Sequence, residues 1–239
     1  NLHVFSVNDA YRFDGFQNPK PVNAGMNPPN GSVINYYVKD VSDSAKVSID
    51  ILDKNKKRIK TFSTKAKEKE DKIDVSSGMN QFVWDMKYPP AEKVDGQIIW
   101  HGNVPGPKAA PGQYFYKIKA EKDSVEGSFT IKANPVYNVS QQDYEEQFNF
   151  LIAIRDKFDE IQKAGKNIRD IRKQINDFMD KQGKDVPKEI KQKADTIKKQ
   201  MTAVEEALHQ TKAKSGQDVL NYPIRLDDKI SGLYDFAAS

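Results

Sequence analysis

Ser140-Gln141-Gln142-Asp143-Tyr144-Glu145-Glu146-Gln147-Phe148-Asn149-Phe150-Leu151 is the stretch that divides this chain. A serine followed three residues later by an aspartate is an N-cap with a box-like acid, because hydroxyl and carboxylate satisfy amides that a first helical turn leaves unpaired. A helix is expected to begin there. Apolar positions then recur at Tyr144, Phe148, Leu151, Ile154, Phe158, Ile161, Ile168, Ile171, Ile175 and Phe178, in steps of three and four except where Gly165 takes one place. That is one continuous stripe on one helix face. A run of roughly 38 residues would make a rod on the order of 55 Å, and Gly165 is expected to allow a bend or a close helix contact.

Beyond it, Gln182, Gly183 and Lys184 close the rod, and Pro187 suits the first position of a second helix. Ile190, Ala194, Ile197, Met201, Val204 and Leu208 keep the same spacing, so an antiparallel helical hairpin is expected, with a third, shorter helix around Leu226, Ile230 and Leu233.

Before residue 140 the repeat is two. Val47, Ile49 and Ile51 alternate with Lys46, Ser48 and Asp50, Asp53 to Asn55 supply turn chemistry, and Lys57 to Ser63 return. Further strands are expected at Val33 to Val38, Gln81 to Asp85, Gln113 to Ala120 and Val125 to Lys132. Six or seven short strands in about 110 residues suit an antiparallel immunoglobulin-like or fibronectin-like β-sandwich, with Phe82, Trp84, Tyr114, Tyr116 and Ile118 in its core. The expected order is an extended segment over 1–24, the sandwich over 25–134 and the helical hairpin or small bundle over 140–239. A Pro- and Gly-rich excursion between Lys87 and Pro111 is long enough to be functional or to be attached to a neighbour.

Composition narrows the function classes. The 38 basic and 34 acidic residues of the 239 nearly cancel, and from residue 140 onward they balance, so no nucleic-acid partner is expected. No cysteine is present, which removes disulfides and thiolate chemistry. No apolar run approaches the roughly 20 residues a membrane span needs.

Several strings occur together and in order: Asn27-Pro28-Pro29-Asn30-Gly31, Ile51-Leu52-Asp53, the run Gly78 to Asp85 and Pro111-Gly112-Gln113-Tyr114. They resemble the immunoglobulin-like domain of flagellar hook-capping proteins and many bacterial surface proteins. Ile168-Arg169-Asp170-Ile171-Arg172, Ser215-Gly216-Gln217-Asp218 and Asn221-Tyr222-Pro223 resemble the tail of a Bacteroidetes family of large secreted proteins. Members of that family carry an N-terminal sialidase-like or sortilin-like β-propeller and are often labelled glycosyl hydrolases. Val4-Phe5 and Asp9-Ala10-Tyr11-Arg12 resemble the segment leaving the propeller. The resemblance implies a piece of a longer precursor, exported to the periplasm, outer membrane or exterior. It implies the protein's own propeller or another cell-envelope protein as partner, with a glycan as the alternative. Hydrolytic residues of the family would lie in the propeller, so none carries over to this chain.

The residues give no visible start for catalysis. His3, His101 and His209 are scattered, without the spacing that puts two imidazoles on one metal, and no nucleophile elbow, phosphate loop or dinucleotide fingerprint occurs. No cofactor is expected. Asp85 is the most tempting single acid, but in the sandwich domains this chain resembles the Trp-Asp pair closes a strand, which implies a structural role for Asp85 and a core position for Trp84. Trp100 and Tyr88, in the long excursion, are the candidate surface contacts, since an exposed ring can stack on a sugar or anchor a partner. The alternative is that Ile98 to Trp100 form a strand or cover a sheet edge. Nine basic against three acidic residues between Lys54 and Lys72 read as a solvated hairpin. Asp43-Ser44-Ala45 and Asp123-Ser124-Val125 resemble O-glycosylation acceptors of that phylum, making Ser44 and Ser124 candidates; Asp195-Thr196-Ile197 fits the pattern too. The expected function is a non-catalytic accessory or scaffolding region, with a carbohydrate-binding module as the second reading.

Overall fold

In the computed structural model, residues 1–13, 23, 29–42 and 45–239 are described. Val47, Ile49 and Ile51 are fully buried while their neighbours turn the other way, so β4 (Val47–Leu52) is a half-buried strand of period two. It pairs antiparallel with β5 (Arg58–Ser63) and with β7 (Gly112–Ala120), and β7 pairs antiparallel with β8 (Asp123–Lys132). A two-residue strand β2 (Ala10–Tyr11) adds to the far edge of β8 in parallel, completing a five-stranded sheet. The second sheet has three strands, with β3 (Ser32–Val38) between β1 (Leu2–Val4) and β6 (Gly78–Trp84).

Both sheets bury side chains in one core. The Trp84 indole is fully buried, its centroid 5.6 Å from Tyr114 and 6.0 Å from Phe129, and its N–H donates to the Lys87 carbonyl at 3.2 Å. Phe62 and Phe82 meet across the sheets at 4.8 Å. Gly127 lies opposite Tyr116 in the β7–β8 register, and a Cβ there would meet the Tyr116 hydroxyl at 2.3 Å, so the ring occupies the space a side chain would need.

Three α-helices follow: α1 (Gln141–Gln182), α2 (Lys188–Leu208) and α3 (Leu226–Ala238). The Ser140 hydroxyl and the Asp143 carboxylate form the expected reciprocal cap, with the Asp143 N–H donating to the hydroxyl at 3.1 Å and the Ser140 N–H to the carboxylate at 3.1 Å. The Ser140 hydroxyl, donating to the Asp143 carboxylate at 2.7 Å, and the Ser140 N–H together hold the Asp143 carboxyl below its usual range.

By contacts the chain forms two compact units, residues 1–89 with 108–148 and residues 90–107 with 149–239. In the first, the start of α1 closes on the strands: Tyr144 is buried under the Arg12 guanidinium at 4.9 Å, and Phe148 packs on Tyr88 at 4.8 Å. In the second, Leu151, Ile154 and Phe158 of α1 enclose Val104, Ala91 and Tyr234. Burial raises the Tyr234 hydroxyl to about 12.

The expected immunoglobulin-like sandwich followed by a helical hairpin or small bundle is overturned. Among the described residues the fold has sheets of three and five strands, one curled into a half-barrel, with three helices. Two reasons are visible in the residues. β1 and β2 arise from the N-terminal stretch expected to be extended, and β2 brings a parallel pair into a sheet expected to be antiparallel throughout. The apolar stripe of α1 is also covered by residues 90–107 and α3, not by α2 alone. At Gly165, through which α1 runs unbroken, the close neighbour comes from residues 90–107 and not from a helix: a Cβ there would sit 3.3 Å from the Gln97 amide nitrogen.

Candidate interaction surface

Past Ile168 the stripe of α1 continues as Ile171, Ile175 and Phe178, and among the described residues the groove these side chains line is completed by α2, with no residue from 90–107 or α3. Ion pairs join α1 to α2. Glu205, almost fully buried on α2, receives Arg172 at 2.7 Å and Arg169 at 3.3 Å, and Arg172 also donates to the Thr202 hydroxyl at 3.3 Å. The short connection over residues 183–187 turns the chain back, and Ile190, Ala194 and Ile197 lie beside Ile171 and Phe178.

Between them lies an open apolar groove of about 330 Å³. Ala194 is buried at its floor, whereas Ile171 is 45% exposed, Phe178 48%, Ile190 42% and Ile197 44%. Isolated exposed apolar side chains are ordinary, but four that line one groove form a contiguous patch.

A second cluster organises the same unit. At the start of α3, Asp227 and Asp228 are both buried. The Asp228 carboxylate accepts the backbone N–H groups of Trp100 at 2.9 Å and His101 at 3.1 Å, and the His101 ring Nδ1 lies 2.8 Å from it. Asp227 lies 2.6 Å from Nδ1 of buried His209, the residue that ends α2. The Ser231 hydroxyl donates to the Gly102 carbonyl at 2.9 Å, so it is not aimed at an imidazole as a nucleophile would be. Carboxylates in a first helical turn are favoured by the exposed amides there. These two therefore clasp residues 100–102 and the end of α2 onto α3. Among the described residues no group of three or more His, Cys, Asp or Glu could hold a metal ion.

The segment 90–107 is anchored to α1 as well. The Glu92 N–H donates to Asp159 at 2.7 Å, Lys166 reaches Glu92 at 3.2 Å, and Arg169 donates to the Asp95 carbonyl at 3.1 Å. Burial pushes the Asp159 carboxyl up, but Lys163 and the Glu92 N–H outweigh it and hold it below its usual range.

The residues singled out from sequence are dispersed. Trp100 sits in a turn of the second unit, 49% exposed, and Ile98 to Trp100 form no strand. Tyr88 belongs to the first unit, packed on the strand core and on Phe148. Ser124 is exposed near the start of β8, and Ser44 lies outside the described residues. Thr196 is exposed on α2, its hydroxyl donating to the Gln192 carbonyl at 2.9 Å. The Asp85 carboxylate accepts the Lys87 N–H at 3.1 Å and so closes a turn. His3 is exposed on β1, with its ring edge-on to Phe5 at 4.8 Å. In the basic run, Lys60 pairs with Asp71 at 2.6 Å and Lys54 with Glu145 at 3.9 Å.

Sequence reasoning missed the Asp227 and Asp228 pairs. Two acids at a helix start carry a signal for capping, yet nothing local names histidines 18 and 127 residues away. Among the described residues no helix is long and apolar enough to cross a membrane. No protein-family model matches the chain, and no curated protein matches it in sequence.

Proposed function

We propose that this chain is a non-catalytic interaction and scaffolding region of a larger exported protein, with the α1/α2 groove as its docking surface. The reading rests on the half-exposed Ile171, Phe178, Ile190 and Ile197. Completing the burial of such side chains is worth about 1 kcal/mol each, half of a full transfer, so a partner covering all four gains several kcal/mol before ordering costs. The resemblance to tails of secreted propeller proteins supports export and makes a cell-envelope protein, or the parent's own propeller, the expected company.

A photo-crosslinking amino acid placed at Phe178 or Ile197 in the native host tests this. Discrete adducts are expected from both positions and none from Lys199, which the groove lining does not include. No adduct from either groove position refutes the reading.

A carbohydrate-binding module is the second reading, supported by the half-exposed Trp100 ring on a turn pinned by Asp228. Its test is a glycan array: binding that Trp100→Ala abolishes supports it, and absence of binding by the native chain removes it.

A further inference from the structure

The border of the α1/α2 groove carries charges in an order that selects an occupant. Asp170, Gln174, Asp177 and Lys181 follow at steps of four, three and four, so they share one strip of α1. Gln174 lines the groove, which makes this strip its edge. Asp170, Asp177 and Lys181 are all exposed, and among the described residues none of them forms an ion pair. The strip is therefore acidic toward the start of α1 and basic toward its end. The strip spans about 16 Å at 1.5 Å per residue.

A strip of that order is complementary to itself when reversed. We propose that a second copy of this chain docks on the groove, α1 antiparallel to α1 about a two-fold axis near Ile175, completing a layer of four helices. This inference rests on the groove being a docking surface. Under the two-fold, Asp170 of each copy lies across from Lys181 of the other, and Ile171 of each meets Phe178 and Met179 of the other. Such an interface uses the same patch on both subunits. A parallel arrangement sets Asp170 against Asp170 and Lys181 against Lys181, so the charges also reject the wrong orientation. A foreign amphipathic helix also satisfies the apolar floor, but nothing in that floor requires the acid-to-base order of the border.

Sedimentation equilibrium of the whole chain reads the outcome. The native chain is expected to form a dimer that loosens with added salt. Lys181→Asp alone, which sets acid against acid, weakens dimerisation by roughly tenfold, as does Asp170→Lys alone, while the two together restore it. These positions are exposed, so the fold does not depend on them. A native chain that stays monomeric at every concentration overturns the second copy, and so does a double variant no tighter than either single one. A monomeric chain that still crosslinks through Phe178 to a different protein refutes self-association and leaves the docking surface standing. Absence of both dimer and adduct removes both.

Discussion

The Asp228 carboxylate holds His101 twice, accepting its backbone N–H at 3.1 Å and lying 2.8 Å from its ring Nδ1. One side chain at the start of α3 thus fixes both the path of residues 100–102 and the orientation of the imidazole, across 127 positions of sequence.

Replacing Asp228 with Ala leaves the amides of Trp100 and His101 and the His101 ring without their acceptor in a partly buried site. Unpaired groups of this kind cost about 1–3 kcal/mol each, and relaxation toward water recovers part of that. The expected loss is about 3 kcal/mol in urea unfolding, with hydrogen exchange accelerated at residues 100 and 101. Unchanged protection at those two amides would show that the clasp is not what holds the segment.

Gly232 lies mid-helix in α3, where alanine normally gains about 1 kcal/mol. A Cβ there would lie 2.9 Å from the His101 ring, which Asp228 prevents from moving aside. Gly232→Ala is expected to destabilise by about 1–2 kcal/mol. In a His101→Ala background the same change is expected to stabilise, and a double-mutant cycle that shows no reversal of sign counts against the packing described.

Glu205 is the shared acceptor of Arg169 and Arg172 and is almost fully buried. Glu205→Ala leaves two guanidinium groups beside a hole, with an expected loss of about 2 kcal/mol. Loss of the α1/α2 seam should appear as faster hydrogen exchange over α2, while α3 stays protected by its clasp to residues 100–102.

Burial raises the hydroxyls of Tyr36, Tyr114 and Tyr234 to about 12. In the unfolded chain each ionises near 10, so above that pH the unfolded state loses protons that the folded state still holds. Stability from these residues is complete below pH about 10 and disappears as pH rises toward about 12. Denaturation midpoints should fall through that window, and phenolate absorbance of the buried rings should appear only with unfolding.

What the sequence alone determined was local. A repeat of two placed β3 to β8, and a repeat of three to four with the Ser140 and Asp143 cap placed α1, because alternation and helical spacing each encode which side of an element meets water. Only tertiary structure decided that residues 90–107 join the helices, that short β1 and β2 complete the sheets, and that Asp227 and Asp228 find His209 and His101. Those outcomes turn on which buried carboxylate or apolar face finds a partner far away in sequence, and no periodicity carries that information.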